Sequence, residues 1–458
     1  MTAVHQERAG RLRAALARYR SDLLLALVVA LVVVPVLQPM MAQQVSRYAL
    51  TAALVDDGTV AIDAFSDRIG VDHAERDGVL YSDKAPGQPV LAVPAYAVYR
   101  LLGGVRGELA KPWADLGLWA VTLLSSALPA VALAVLMRRL ALRCCPQRAT
   151  EAALALSLGT MLLPFATQLF SHVLSALCAL GAYLLATRER STPLALTGAG
   201  TLAGLAVTVE YTMAVLVVVI GVVIFVRDRA GVLWYALGGV PMALLLGLYH
   251  WIAFGGPLEV GYRYGQFSQH QSGVVGVRPP DPGTTFTVLF SERGLAVLTP
   301  ITVVGVVGLV LLTRRVEART DAWASLAVFA VFLAIMGGWS SPWAGASPGP
   351  RYITPALPFL AGGVAYVWSR VPFVATAAAA VGVVSMGLAT FTMPLAQPTE
   401  PSALVHWFTR ARDGEWADTL LTVWLGDWAL LLPLLAAAGV AAWLLRDEAR
   451  QRRAAHLA

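Results

Sequence analysis

Residues 193–252 read PLALTGAGTLAGLAVTVEYTMAVLVVVIGVVIFVRDRAGVLWYALGGVPMALLLGLYHWI. Three apolar runs fill this stretch, namely 193–209, 212–226 and 231–252. Glu210 lies in the turn after the first run, and an Arg-Asp-Arg sequence at 227–229 forms the next turn. About 20 mostly apolar residues are enough for a helix to cross a bilayer. The stretch therefore predicts three membrane spans joined by short turns whose charges alternate in sign.

The same pattern continues along most of the chain. Of its 458 residues 57% are hydrophobic and only 14% are charged, whereas soluble domains carry about 25% charged residues. The approximate predicted spans are 21–41, 116–137, 151–169, 171–187, 193–209, 212–226, 231–252, 295–313, 321–337, 352–369, 372–391 and 428–445. The fold class is therefore expected to be all-α, a polytopic membrane protein with about twelve transmembrane helices. Residues 1–458 are expected to form a single transmembrane domain.

The charges fix an expected orientation. The N-terminus, the C-terminal tail and alternate connections hold 21 arginines against 9 acidic residues, and the other segments hold 13 Lys or Arg against 19, which together account for all 34 and 28. Short cytoplasmic loops are enriched in Lys and Arg, so both termini are predicted to be cytoplasmic. The net charge of +6 is then a topology signal and does not indicate nucleic acid. The 32 arginines against two lysines favour a bacterial cytoplasmic membrane.

Four substantial segments are predicted on the outer face, at 42–115, 253–294, 338–351 and 392–427. Within the first, residues 89–104 are apolar but too short and Pro-broken to span, which predicts an interfacial helix. Residues 403–424 carry three tryptophans and predict a second helix at the membrane surface.

The first outer segment ends in DGVLYSDKAPGQPVLAVP (77–94), where Lys84 is one of the two lysines of the chain. Asp83 precedes it and an Ala-Pro-Gly turn follows, directly before the predicted interfacial helix. A cation held at headgroup depth can bind a lipid phosphate. Simple anchoring of the side chain at the interface is the alternative, but that role would not need a rigid turn.

A second motif is GGWSSPWAGASPGPRYITPALPFL (337–360). Its Arg351 lies on the predicted outer face, where the charge bias does not account for it, and a guanidinium can bind a phosphate through two hydrogen bonds. His172 and Glu210 fall at tight outer turns, where polar groups usually face the interior of the bundle. Further site-lining candidates from these outer segments are Asp83, Tyr48, Glu259, Tyr262, Trp343 and Tyr352. No Walker, dinucleotide, HExxH or paired Cys/His metal motif is present.

Together these motifs resemble the GT-C class of membrane glycosyltransferases, in particular the branch related to bacterial protein O-mannosyltransferases and the lipid A aminoarabinose transferase. The Ser82–Pro86 segment resembles the Glu-Lys-Pro-Pro motif of that branch, and Arg47-Tyr48 resembles its Arg-Tyr pair after the first span. The resemblance implies inverting transfer of a sugar from a polyprenyl-phosphate carrier to an acceptor hydroxyl of a glycan, lipid or protein at the outer face. It implies that Lys84, Arg47 and Arg351 contact the donor phosphate.

The chain departs from the class at the expected general base. An Asp-Glu pair precedes Arg-Tyr in the aminoarabinose-transferase pattern, but residues 43–46 are Gln-Gln-Val-Ser. The base is therefore expected elsewhere in the first outer segment, at Asp63 or Asp72, with Asp56 and Asp57 as substitutes. No cofactor is expected to be required, and a role for a divalent cation stays open.

Three other functions compete with the transferase. A secondary transporter or a flippase for lipid-linked sugars would favour polar residues near the middle of the membrane, whereas here they lie at the outer ends of spans. An enzyme resembling O-antigen ligase or polymerase would use outer arginines such as Arg263, Arg278 and Arg293 on a lipid diphosphate. A non-catalytic assembly protein would account for the missing Asp-Glu pair.

Overall fold

The computed structural model describes residues 19–41, 43–106, 116–266, 273, 276–400 and 402–457. The principal helices are α1 (19–33), α2 (Gln43–Asp56), α3 (Gly87–Leu101), α4 (Leu116–Cys144), α5 (Ala149–Leu158), α6 (Leu162–Ala166), α7 (Ser171–Ala186), α8 (Pro193–Val209), α9 (Ala214–Arg227), α10 (Gly231–Phe254), α11 (Pro282–Phe290), α12 (Leu295–Leu298), α13 (Ile301–Leu312), α14 (Arg319–Gly337), α15 (Ala361–Trp368), α16 (Pro372–Phe391), α17 (Ala403–Arg412) and α18 (Leu431–Leu457). The strands β1 (Ala74–Arg76) and β2 (Val79–Tyr81) form one antiparallel hairpin. The predicted all-α membrane fold is confirmed.

Five helices among the described residues are long and apolar enough to cross a membrane, and a sixth crossing is formed if a bent pair counts as one. They are Leu116–Cys144, Gly231–Phe254, Arg319–Gly337, Pro372–Phe391 and Asp427–Ala454. Three shorter apolar helices accompany them, at Ser171–Ala186, Pro193–Val209 and Tyr211–Arg227. All twelve predicted spans contain helix, while the number of complete crossings stays a prediction.

Several predicted spans are interrupted, and proline or glycine accounts for the breaks. The predicted span 295–313 divides at Pro300, where the helical segments Pro282–Leu298 and Ile301–Leu312 meet at 97°. The predicted span 151–169 divides between α5 and α6, near Gly159. A proline removes a backbone donor and clashes with the preceding turn, so a continuous helix was the wrong prediction at 295–313.

The predicted span 352–369 begins as a 3₁₀ segment, Arg351–Leu360, before α15 continues it. Pro355 and Pro358 lie three residues apart in this segment, on the period of a 3₁₀ helix. Of the predicted surface helices, 89–104 is helical as α3, which begins two residues earlier and ends three residues earlier, while its position at the interface stays a prediction. The helix predicted at 403–424 stops at Arg412, because Gly414 adopts a positive φ of 79°.

Glycines bring the central helices into close contact. A Cβ at Gly200 would lie 1.9 Å from the Tyr235 carbonyl oxygen, and a Cβ at Gly238 would lie 1.9 Å from that of Thr197. The Thr201 hydroxyl donates a hydrogen bond of 2.9 Å to the Gly238 carbonyl across the same contact. Small residues allow backbones to approach in this way in membrane bundles. The α8–α10 pair therefore forms a rigid support beneath Glu210.

The first predicted outer segment is folded over the described residues 43–106. Its own core includes Tyr48, Ile62, Phe65 and Tyr96, each at most 3% exposed. The hairpin turns at Asp77-Gly78, both of which have positive φ. This small layer of α2, the hairpin and α3 fixes the position of the Lys84 turn against the helical bundle.

Candidate functional site

Lys84 lies in the turn between β2 and α3 and is 4% exposed. Its ammonium nitrogen is 2.7 Å from an Asp83 carboxylate oxygen and 2.9 Å from one of Asp72. Burial lowers the pKa of Lys84, but the charges and hydrogen bonds of Asp83 and Asp72 outweigh it, so the pKa is raised above its usual 10.5. Lys84 is therefore a cation at neutral pH, held between two carboxylates.

Hydroxyl groups hold this turn in place. The Ser46 and Ser82 hydroxyls are hydrogen-bonded at 2.9 Å, and the Tyr249 hydroxyl donates to the Ser82 carbonyl at 3.2 Å. Gln88, in the first turn of α3, donates to the Phe170 carbonyl at 2.9 Å. The turn is thereby tied to α2, to α10 and to the residue before α7, which all converge on the site.

A second group of polar residues forms a hydrogen-bonded chain across three helices. Arg47 of α2 donates to the Gln43 side chain at 2.8 Å and to the Ser171 hydroxyl at 3.1 Å. Ser171, at the start of α7, donates to Glu210 at 2.6 Å, and His172 lies 3.8 Å from the same carboxylate oxygen. His172 and Glu210, which the sequence places at two different turns, are therefore in contact with each other.

Arg351 also lies close to this group. Its guanidinium lies 6.0 Å from the Phe170 ring and 5.3 Å from the Tyr352 ring. Tyr352 in turn contacts His172 edge-on at 5.8 Å between ring centroids. Arg351 is thus linked to His172 through the Tyr352 ring, and Arg47 is linked to it through Ser171 and Glu210.

Tyr262 lies between the two groups. Its ring is 5.9 Å from the Lys84 ammonium. Burial raises the pKa of Tyr262 well above its usual value, the charges of Glu210 and Asp83 raise it further, and Arg47 opposes them. Tyr262 is therefore a neutral phenol beside Lys84, and its ring contacts that of Tyr211, the residue after Glu210, at 5.6 Å. The Lys84 group and the Arg47 group are thus neighbours and form one candidate site.

Polar atoms that lack a hydrogen-bond partner collect in this site. Among the described residues they include Arg47 Nε, Asp83 Oδ1, His172 Nδ1 and Arg351 Nε. The great majority of buried polar atoms in proteins have a hydrogen-bond partner. Four buried atoms without one, from four separate segments, therefore call for an explanation. They comprise two cationic donors, one carboxylate acceptor and one imidazole nitrogen, which suits a polar ligand with a negative charge.

Other predicted residues have different surroundings. Asp56 pairs with Arg100 at 2.8 Å and accepts a hydrogen bond from Tyr96, whereas Asp57 pairs with Arg106 at 2.5 Å. Asp63 is exposed and accepts from the Leu80 amide at 3.1 Å.

Three further candidates, Glu259, Trp343 and Tyr48, have contacts with residues other than Lys84 and Arg47. Glu259 pairs with the exposed Arg263 at 3.0 Å. Trp343 lies under the Arg293 guanidinium at 5.1 Å, and Tyr48 contacts Tyr96 at 5.5 Å.

Sequence reasoning missed Ser171 and Gln88. Ser171 connects Arg47 to Glu210, and Gln88 ties the start of α3 to the Phe170 carbonyl. Polarity inside otherwise apolar surroundings was the available signal for Ser171, next to His172. Within the described part of the chain no group of three or more His, Cys, Asp or Glu residues could hold a metal ion.

Comparison with known proteins gives matches at the level of structure. No family model and no curated protein sequence matches the chain. ArnT from Cupriavidus metallidurans matches in the apo state with a TM-score of 0.53 and 16% identity, and in the form bound to undecaprenyl phosphate with 0.50 and 18%. Each match covers 94% of this chain and 73% of ArnT. The chain has the GT-C fold.

A third GT-C match is the archaeal oligosaccharyltransferase AglB from Archaeoglobus fulgidus, in complex with an inhibitory peptide and a dolichol-phosphate. Its TM-score is 0.46 at 12% identity, over 95% of this chain and 56% of that one. The GT-C fold expected from the Lys84 and Arg351 motifs is confirmed by the two ArnT matches. In this GT-C chain, the amides Gln43 and Gln44 occupy the stretch where the sequence resemblance places carboxylates. They bond to Arg47 and to the Leu169 amide.

Proposed function

We propose that the chain transfers a sugar from a polyprenyl-phosphate carrier to an acceptor hydroxyl, on the side of the membrane that carries the Lys84 site. The observation that carries the proposal is the convergence of unpartnered cationic donors and a carboxylate oxygen in one buried cluster. The GT-C fold supports it, and ArnT of that fold has been crystallised with undecaprenyl phosphate.

The phosphate would be held by the group around His172. Arg47 and Arg351 offer two guanidinium groups there against the single carboxylate of Glu210. The amino end of α7 also begins at this point, and helix N-termini favour anions. Lys84 shares its charge with Asp72 and Asp83, so it contributes less to the phosphate than the arginines do.

The base would come from the group around Lys84. Of the four aspartates predicted for this role, Asp72 is the one that contacts Lys84, and it is 8% exposed. In the reaction the acceptor hydroxyl gives its proton to the carboxylate while its oxygen bonds to the anomeric carbon. The bond from that carbon to the phosphate oxygen breaks, and the lipid phosphate leaves with the electron pair. Fixed cations near the departing phosphate stabilise this step.

The experiment is a transfer assay with the full-length protein in lipid vesicles and a panel of sugars linked to undecaprenyl phosphate. Release of undecaprenyl phosphate is measured for the parent protein and for Arg351→Gln. The matched control is Arg263→Gln, which removes an exposed arginine paired with Glu259. We expect Arg351→Gln to slow release by at least about tenfold, on the scale of one charge-assisted hydrogen bond. Equal rates in both variants, or movement of the lipid across the vesicle without cleavage, would contradict the proposal.

A further inference from the structure

A cavity of about 840 Å³ lies at the end of the helices remote from the candidate site. The position follows from α7, which begins at Ser171 in the site and ends at Ala186. Its 16 residues span roughly 24 Å at 1.5 Å per residue. Arg143, in the cavity wall, bonds at 2.7 Å to Thr187, the residue after that helix. The cavity and the candidate site are therefore separate.

Positive charge dominates the cavity wall. Six arginines line it, and Glu317 is the one acidic residue among the described lining residues. The six are Arg143, Arg148, Arg315, Arg370, Arg452 and Arg453. They come from the end of α4, the connections after α4, α13 and α15, and the last helix α18. Arginines from distant parts of the sequence thus line the same cavity.

Neighbouring carboxylates neutralise only part of this charge. Glu151 pairs with Arg148 at 2.7 Å and with Arg452 at 3.1 Å. Asp321 lies 3.7 Å from Arg143. The other three arginines have no carboxylate within ion-pair distance in the described part of the chain.

The helix ends do not cancel the excess. With Glu317, Glu151 and Asp321 counted against the six arginines, three positive charges remain. The carboxyl ends of α4, α13 and α15 point here, and each helix end contributes about half a negative charge, roughly −1.5 in all. The cavity wall therefore keeps a net positive charge, and interaction with the helix carboxyl ends does not account for all six arginines.

The lining is shaped to hold an anion beside the bilayer. Arg370 stacks on the Tyr366 ring at 3.6 Å and bonds to Ser369 at 3.1 Å, which fixes the plane of its guanidinium. Leu312 and Ala318 form a buried apolar part of the wall. Val316 and Val371, which directly follow the lining residues Arg315 and Arg370 in the chain, are 72% and 46% exposed.

We propose that this cavity binds the phosphate headgroup of an anionic membrane lipid. Bidentate bonds from guanidinium groups are suited to phosphate oxygens, and basic pockets between membrane helices bind anionic headgroups. The exposed valines beside Arg315 and Arg370 favour a lipid over a soluble phosphate, because the acyl chains can lie against them. Binding would link α4, α13, α15 and α18, and it is independent of the proposed sugar transfer.

Native mass spectrometry on the full-length protein in detergent tests the proposal, with phosphatidylglycerol as the probe and phosphatidylcholine as the neutral comparison. Each arginine near an anionic lipid is worth about fivefold in affinity. We expect Arg315→Gln to weaken phosphatidylglycerol binding about fivefold, and the triple variant of Arg315, Arg370 and Arg453 to weaken it about a hundredfold. Glu317→Gln removes the lining acid and should strengthen binding.

The control is a second triple Arg→Gln variant, at Arg188, Arg227 and Arg229, which lie outside the cavity on predicted loops of the same face. It should bind phosphatidylglycerol like the parent protein. Equal loss in both triple variants, or no preference over phosphatidylcholine, would overturn the proposal. Competition by millimolar inorganic phosphate would show a site for free phosphate and would overturn the lipid assignment. Arg315 is exposed and has no ion-pair partner among the described residues. We therefore expect Arg315→Gln to fold like the parent protein, so that a change in lipid binding reflects the lost charge.

Discussion

At the scale of single residues, the site divides into an acidic and a basic part. Asp72 and Asp83 both contact Lys84, while Arg47 and Arg351 lie on either side of the His172–Glu210 pair, linked to it through Ser171 and Tyr352. This division matches a displacement that needs a proton acceptor at one end and cations at the other.

Asp72→Asn tests the acidic part directly. The amide keeps the shape of the side chain but cannot accept the proton, so transfer should fall about 10²–10⁴-fold, the usual contribution of a general base. Asp63→Asn is the matched control, because Asp63 is exposed and bonds only to the Leu80 amide among the described residues. Initial rates in the vesicle assay measure both. A full rate for Asp72→Asn would show that another group is the base.

Lys84→Met tests the buried ion pair through stability. It leaves two carboxylates without their cation, and breaking a buried pair costs about 3–5 kcal/mol in free energy of unfolding. Arg263→Met, at an exposed pair, should cost less than about 1 kcal/mol. Denaturant unfolding followed by tryptophan fluorescence compares them. Similar small losses in both variants would contradict a stabilising Lys84 pair.

The same pair predicts a dependence on pH. The pKa of Lys84 in the folded protein is raised above its usual 10.5, because Asp83 and Asp72 outweigh the effect of burial. The stabilisation is therefore complete below pH 10.5 and is lost as the pH rises through the higher folded value. Unfolding of the parent protein relative to Lys84→Met should show a constant difference between pH 7 and 9. A difference that vanishes within that range would mean a lowered pKa.

At the scale of elements, the start of α3 against the end of α8 positions the Lys84 turn. A Cβ at Gly87 would lie 2.6 Å from the Thr208 hydroxyl and 2.7 Å from the Thr208 carbonyl atoms. Gln88 then bonds to the Phe170 carbonyl before α7. The distance of the start of α3 from the end of α8 and the start of α7 therefore determines how far Lys84 lies from the Arg47 group.

Gly87→Ala should move α3 away from α8, because backbone atoms cannot give way as a flexible side chain can. We expect transfer to fall by at least about tenfold, on the scale of a displacement of about 1 Å in a catalytic group. Gly387→Ala is the control, since it lies in a helix with open space around it. That variant should keep its activity and gain up to about 1 kcal/mol in helix stability. Unchanged transfer in Gly87→Ala would contradict tight positioning by this contact.

The elements also show where sequence reasoning was sufficient. The apolar runs predicted α7, α8 and α10, because burial in lipid imposes length and composition on a helix. The hairpin at 74–81 was missed although its Asp77-Gly78 pair is a strong turn signal. The break at Pro300 was missed because the span was predicted from its apolar composition, without regard to the proline within it.

At the scale of the whole molecule, topology brought together residues that no local pattern connects. The predicted orientation placed Lys84, Arg351, His172 and Glu210 on one face, and the structure links them through ring contacts of Tyr262 and Tyr352 and through the His172–Glu210 contact. Which aspartate belongs to the site could not be predicted, because the partners of Asp56 lie 40 and 44 residues away, at Tyr96 and Arg100. Such pairings depend on packing and leave no periodic signal.

The orientation itself is tested by cysteine labelling in whole cells. With Cys144, Cys145 and Cys178 replaced by serine, Asp63→Cys should react with a membrane-impermeant maleimide, because position 63 is exposed on the predicted outer side. Arg229→Cys should react only after the membrane is permeabilised. The opposite pattern would invert the topology and place the site in the cytoplasm.

The central claim is that Arg47 and Arg351 bind the phosphate of a polyprenyl-phosphate donor, next to the Asp72 and Asp83 carboxylates that contact Lys84. A cryo-electron microscopy structure of the full chain with undecaprenyl phosphate measures this directly. The account predicts phosphate oxygens about 2.7–2.9 Å from guanidinium nitrogens of both arginines. Phosphate density only in the arginine-lined cavity at the opposite end, with the Arg47 and Arg351 groups unliganded, would contradict it.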